Sequence, residues 1–176
     1  MIEPKFPPRG GGDAAPHVYR MERITVHLRH LYITRVENAS APTSEEVACL
    51  YCIAGHGVIG DRWFDIASGN KGIISFFGGD ALKRLCHEAR SHIEPSRLRR
   101  NVLIEGVDVD RLAGRRFSLR GIQFEGMDDV RQNSVPHATP PGGLRARILN
   151  DGWLRPGLAD LFVHDEHERG HYATGI

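Results

Sequence analysis

Cysteine is scarce in this chain. Cys49, Cys52 and Cys86 are the only three in 176 residues. Three thiols cannot all pair with one another, which argues against a disulfide framework and for a reducing compartment, so a cytoplasmic location is expected. An excess of one charge is also lacking. Lys plus Arg number 23 and Asp plus Glu 22, a formal net charge of +1. A general nucleic-acid binder would carry a basic excess, so none is expected, although a local basic pocket stays open. No apolar run approaches the ~20 residues of a membrane-spanning helix. Met1 to Gly12 is rich in Pro and Gly and has no apolar core, so it does not read as a secretory signal. What is present is ordinary for a globular domain: 40% hydrophobic and 26% charged residues, enough for one core. Ten histidines are added to this, so net charge should turn clearly positive as pH falls below ~6.5.

The texture divides the chain into a disordered leader (1–20), a folded domain (21–164) and a polar tail (165–176). Arg23 to Val36 is rich in β-branched residues and predicts one long or two short strands. Glu45 to Gly55 predicts a second strand, and Gly55 to Gly72 a broken, Gly-rich connection. Gly72 to Phe77 predicts a buried strand. Asp80 to about His92 predicts the one helix, with Asp80 as N-cap and Leu82, Leu85, Cys86 and Ala89 as its apolar stripe. Strands are predicted over Asn101–Gly106, over two runs flanking Gly121, from Gly143, and over the LADLFVH segment, with a helical turn ending at Gly114. Many short strands, one main helix and Gly-rich turns argue for a mainly-β barrel or sandwich.

Three Arg–Gly clusters stand out. Gly57-Val58-Ile59-Gly60-Asp61-Arg62 puts an acceptor and a forked donor beside two glycines that allow close backbone approach. On spacing alone a tight turn with an Asp–Arg pair explains it as well. Arg97-Leu98-Arg99-Arg100-Asn101 leads into a strand; an Arg fork suits phosphate or carboxylate, and Asn can present a donor and an acceptor to a heterocycle edge. A solvated basic turn is the plainer explanation. In Gly142-Gly143-Leu144-Arg145-Ala146-Arg147 both arginines would share one strand face, facing either solvent or an anion. Cys49-x-x-Cys52 would point to opposite faces of a strand and has no second pair, so it reads as core and not as a metal site. The tail histidines His164, His167 and His171 read as solvated, as does the Asp128-Asp129 pair.

In order and spacing, AGHGVIGDRWFD, KGIISFF, RRNVLIEGVDVDRLAGRRFSL, EGMDDVRQN and GGLRARILNDGWLRPG resemble the MOSC family, the molybdenum-cofactor sulfurase C-terminal domain, from about Ala54 to Gly157. The resemblance implies a MOSC-type β-barrel like the barrel domain of pyruvate kinase. It implies a pocket for molybdenum cofactor, a phosphorylated pterin dithiolene, or a similar anionic ligand, used in sulfur transfer or molybdenum-dependent reduction. Arg62, Arg100, Arg145 and Arg147 would pair with anionic groups, Asn101 would bond the ligand or fix a loop, and Asp61 would orient an arginine or accept from the heterocycle. Gly57, Gly60, Gly142 and Gly143 would let backbone approach. A cysteine desulfurase or a molybdoenzyme is the implied partner. The pyridoxal-phosphate domain fused in sulfurases has no counterpart in this sequence, so no pyridoxal phosphate is expected. The family cysteine that carries persulfide or ligates molybdenum falls at Asn133, and a carboxamide does neither well. A non-catalytic binding or carrier module is therefore the alternative expectation. A hydrolase using His56, Asp61 or His137 has only the general aptitude of such residues for acid–base work behind it.

Overall fold

The computed structural model describes residues 21–35, 43–65, 72–128 and 141–164. The long β-branched run forms strand β1 (Met21–Arg35). Its first half pairs antiparallel with the last strand, β11 (Gly157–His164), and its second half with β6 (Val102–Glu105). Because β1 has neighbours on both sides, it closes a ring. From β11 the ring continues through β7 (Arg116–Leu119), β8 (Ile122–Gly126), β9 (Gly143–Ile148) and β5 (Ile73–Gly78), and β5 returns to β6 as its only parallel pairing. The result is a closed seven-stranded β-barrel in a mostly β protein with one helix. Closure leaves no free edge around the ring.

A register shift between Leu28 and His30 decides what β1 presents outward. Val26 and Leu28 point into the barrel before it, and Leu31 and Ile33 after it. The extra residue of a bulge flips the alternation, as side-chain period 2 requires. Tyr32 and Thr34 therefore face the outside of the barrel, yet both are buried. Inside, Phe76, Phe117 and Phe124 from three strands meet with ring centroids 5.3–5.8 Å apart. Aliphatic side chains such as Leu28, Ile74, Ile104 and Leu161 fill the rest.

Two predicted boundaries move. The expected strand Glu45–Gly55 is two strands, β2 (Thr43–Glu46) and β3 (Leu50–Ile53), because β2 pairs with β1 while β3 belongs to a second, three-stranded sheet. That sheet is completed by β4 (Gly57–Val58) and β10 (Gly152–Leu154). The helix α1 runs Gly79–Ala89, starts at Gly78 and stops where Arg90 turns left-handed, short of His92. Asp80 is not its N-cap; it lies in the first turn and pairs with Lys83 at 3.2 Å. Ala81, Leu82 and Leu85 lay α1 on Phe77 and Leu103, on the outer face of the barrel. The leader (1–20) and tail (165–176) lie outside the described residues. Among the described residues no helix is long and apolar enough to cross a membrane.

Removing the central ring of the aromatic cluster should leave a cavity that the closed barrel cannot collapse around. Phe76→Ala is expected to cost about 3–5 kcal/mol in urea unfolding. A loss below ~1 kcal/mol would show that the cluster does not anchor the core.

Candidate functional site

The segment bonded to Thr34 is the first Arg–Gly cluster, while the Tyr32 ring lies near His30, Glu46 and Glu94. β3 and β4 form a short hairpin, and the chain then turns at Gly60, with φ +82°, to bring Asp61 back against β1. Asp61 is only 8% exposed. Its Oδ1 accepts from the Thr34 backbone N–H (2.8 Å) and from Asn101 Nδ2 (3.1 Å), and its Oδ2 from the Trp63 N–H (3.1 Å). The Arg62 N–H returns a bond to the Thr34 carbonyl at 2.7 Å. A buried carboxylate is tolerable here because backbone and amide donors replace its water.

Asn101, just before β6, sits behind Asp61 and is equally committed. Its Nδ2 also donates to the Tyr32 carbonyl (3.2 Å), while its Oδ1 accepts from the Ser75 N–H and hydroxyl, both at 2.9 Å. One side chain thus ties β1, β5 and the 57–65 segment together. An Asn amide offers two donor hydrogens and a two-fold acceptor, and all are used, so Asn101 fixes a loop and has nothing left for a ligand.

Arg62 is different. Its Nε is buried and has no hydrogen-bond partner among the described residues. The guanidinium lies over the Trp63 ring, 4.9 Å from the centroid, a cation–π contact that leaves the N–H unsatisfied. Burial pushes the Arg62 pKa below its ordinary value; Asp61 opposes the shift and the charge of Arg99 adds to it. Arg62 and Arg99 therefore feel one another as like charges. Arg99 adopts the left-handed backbone conformation, φ +54°, after a 3₁₀ turn over Pro95–Leu98.

The other expected residues distribute unevenly. Arg100 precedes Asn101, and Arg145 on β9 pairs with Ser75, so both backbones adjoin the same network, and both residues are half-buried. Arg147 is exposed and bonded to Glu125 at 2.8 Å. Gly57 is buried, and a Cβ there would meet the Trp63 carbonyl at 3.5 Å, so its space belongs to the turn itself. Gly142, with φ +86°, packs on Ala81 and donates its N–H to the Asp110 carboxylate at 3.0 Å, so that N–H is taken. Gly143 follows in β9. Asn133 and His137 lie outside the described residues. His56 makes an exposed pair with Asp65 at 3.1 Å. Arg99 was not singled out in the sequence; the run of three arginines around Leu98 held the signal, but nothing local marks which of them approaches Arg62.

Two solved structures share this fold. The YUAD protein of Bacillus subtilis matches with a TM-score of 0.64 at 18% identity, over 84% of this chain and 100% of that one. YiiM of Geobacillus stearothermophilus matches with a TM-score of 0.54 at 12% identity, over 82% of this chain and 77% of that one. At these identities the likeness is one of fold, a MOSC-like β-barrel. No protein-family model and no curated protein matches the sequence.

Two buried acids define an alkaline limit. Burial pushes the Cys52 thiol up to about 12 from 9.0. Burial, with Glu46 and Glu94 nearby, pushes the Tyr32 phenol up to about 12 from 10.0. The fold favours both neutral forms, so their contribution is intact below the unfolded values and is lost as pH rises toward 12. Stability should fall between pH 9.0 and about 12, and the fall should be shallower in Cys52→Ala and Tyr32→Phe. Urea unfolding at neutral and alkaline pH measures this. An unchanged slope in both variants would contradict it.

Proposed function

We propose that this protein is a MOSC-type binding domain that takes the phosphate end of a phosphorylated pterin of the molybdenum-cofactor class, or a similar anion, at Arg62 and Arg99. The observation that carries this is the orphaned, buried Nε of Arg62. A buried donor without a partner costs on the order of 1–3 kcal/mol, more when charged, and a like charge close by adds to the cost. The adjacent carboxylate cannot relieve it, since Asp61 is occupied by Thr34, Trp63 and Asn101. An oxyanion would fill the vacant donor and separate the two guanidinium charges. Its recognition by a preformed Arg fork is the ordinary phosphate chemistry of arginine. Arg100 and Arg145 adjoin the same network and extend the basic surface. When bound, the cofactor would supply molybdenum for reduction or sulfur transfer. The residues of this chain bind and orient it.

Two of the three described thiols, Cys52 and Cys86, favour the non-catalytic form of this reading. Cys52 is fully buried with a raised pKa, the opposite of a reactive thiolate. The Cys86 sulfur accepts from the Ile93 N–H at 3.4 Å. The family cysteine is Asn133. A binding or carrier role requires none of these thiols.

Titration with molybdenum cofactor and, separately, with inorganic phosphate tests the proposal. Arg62→Ala and Arg99→Ala should each weaken binding roughly tenfold or more, the size of a charge-assisted hydrogen bond. Arg147→Ala should leave it unchanged, because that guanidinium is spent on Glu125. Equal or absent binding in wild type and Arg62→Ala would overturn it. Cofactor binding that persists in a triple Cys→Ser variant would separate binding from thiol chemistry.

A further inference from the structure

The three-stranded sheet carries an apolar rung that the site does not use. Trp153, Tyr51 and Ile59 lie side by side across β10, β3 and the end of β4, opposite the buried rung of Leu50, Cys52, Val58 and Leu154. Trp153 is 51% exposed and Ile59 48%, with the Tyr51 and Trp153 rings 4.6 Å apart. β10 is the outer strand of that sheet. The Ile59 N–H donates to the Tyr51 carbonyl at 3.0 Å, so the backbone polar groups of Tyr51 point toward β4. Its pair with Trp153 is then a non-hydrogen-bonded one, and the Trp153 N–H and carbonyl point to the side of β10 that has no strand partner among the described residues. An exposed aromatic beside an unpaired strand edge is a docking surface.

The sequence around Trp153 states what fits it. Asp151 and Arg155 flank β10, each one residue beyond an end of the strand and two from Trp153 in sequence. A two-fold axis through Trp153 would pair the edge with a second copy in antiparallel register and set each Asp151 opposite Arg155 of the other copy. Arg155 is exposed and has no ion-pair partner among the described residues. Asp151 gives only Oδ1 to its own chain, to the Ala54 N–H at 2.8 Å. We propose that β10 is a self-complementary edge through which two copies of this chain pair, Trp153 against Trp153, with the Asp151–Arg155 pairs fixing the register. A closed, isologous pairing of this kind also removes the exposed edge as a hazard. Pro156 limits the pairing to the stretch ending at Arg155.

Sedimentation velocity of the full chain over a wide concentration range reads this directly. The wild type should dimerise. Arg155→Glu, which sets two carboxylates opposite one another, and Trp153→Lys should each raise the dimer dissociation constant roughly tenfold or more. Asp151→Asn keeps the Ala54 bond through its Oδ1 while removing the charge, and should weaken the dimer without disturbing the fold. Far-UV circular dichroism and phosphate affinity serve as controls for folding and for the separate Arg62 site. A wild type that stays monomeric throughout overturns the proposal. So does a dimer that Asp151→Asn and Arg155→Glu leave unchanged.

Discussion

The hydrogen bond between Asn101 and Asp61 joins the parts of the candidate site. It is 3.1 Å long, buried, and joins two segments 40 residues apart in sequence. On one side it reaches β1 through Thr34 and Tyr32, and on the other β5 through Ser75. Without it, the Thr34 bonds to Asp61 and Arg62 would still hold the turn to β1, but the Asp61 carboxylate would lose its tie to Ser75 and β5.

The bulge in β1 decides which side chains share the wall that this bond lies on. Had β1 kept its alternation, Tyr32 and Thr34 would have pointed into the core with Leu28, and the outer wall would have carried Leu31 and Ile33. Asp61 and Asn101 meet this wall through the Thr34 backbone N–H and the Tyr32 carbonyl. The inserted residue keeps the barrel interior apolar and turns two polar residues outward where the 57–65 segment arrives. The barrel interior and the outer wall beside the candidate site are both shaped by this one local irregularity.

Much of this was legible in the sequence, for physical reasons. β-branched runs bounded by Gly and Asn-Asp-Gly turns marked the strands, and the lone periodic stripe after Gly79 marked the helix. Asp61, Asn101 and Ser75 share one hydrogen-bond network, with Arg145 the backbone neighbour of Ser75. What the sequence hid was the division of labour. Asp61 and Asn101 look like ligand-binding groups, but their polar atoms are consumed by backbone that only the fold brings near. Gly142 looks like a ligand cradle, but its N–H belongs to Asp110. The split of Glu45–Gly55 into two strands was hidden because both halves are apolar enough for a strand, and only the pairing partners differ.

The account turns on one nitrogen, and its resonance can be followed. In ¹⁵N side-chain spectra of the wild-type protein, the Arg62 Nε–H should be visible and slow to exchange, as a buried donor is. On titration with inorganic phosphate it should shift markedly, with a saturation curve matching the binding isotherm. If the Arg62 signal exchanges as fast as those of exposed arginines, or stays fixed while phosphate saturates the protein, then the vacant donor is not where the anion binds and the functional reading fails.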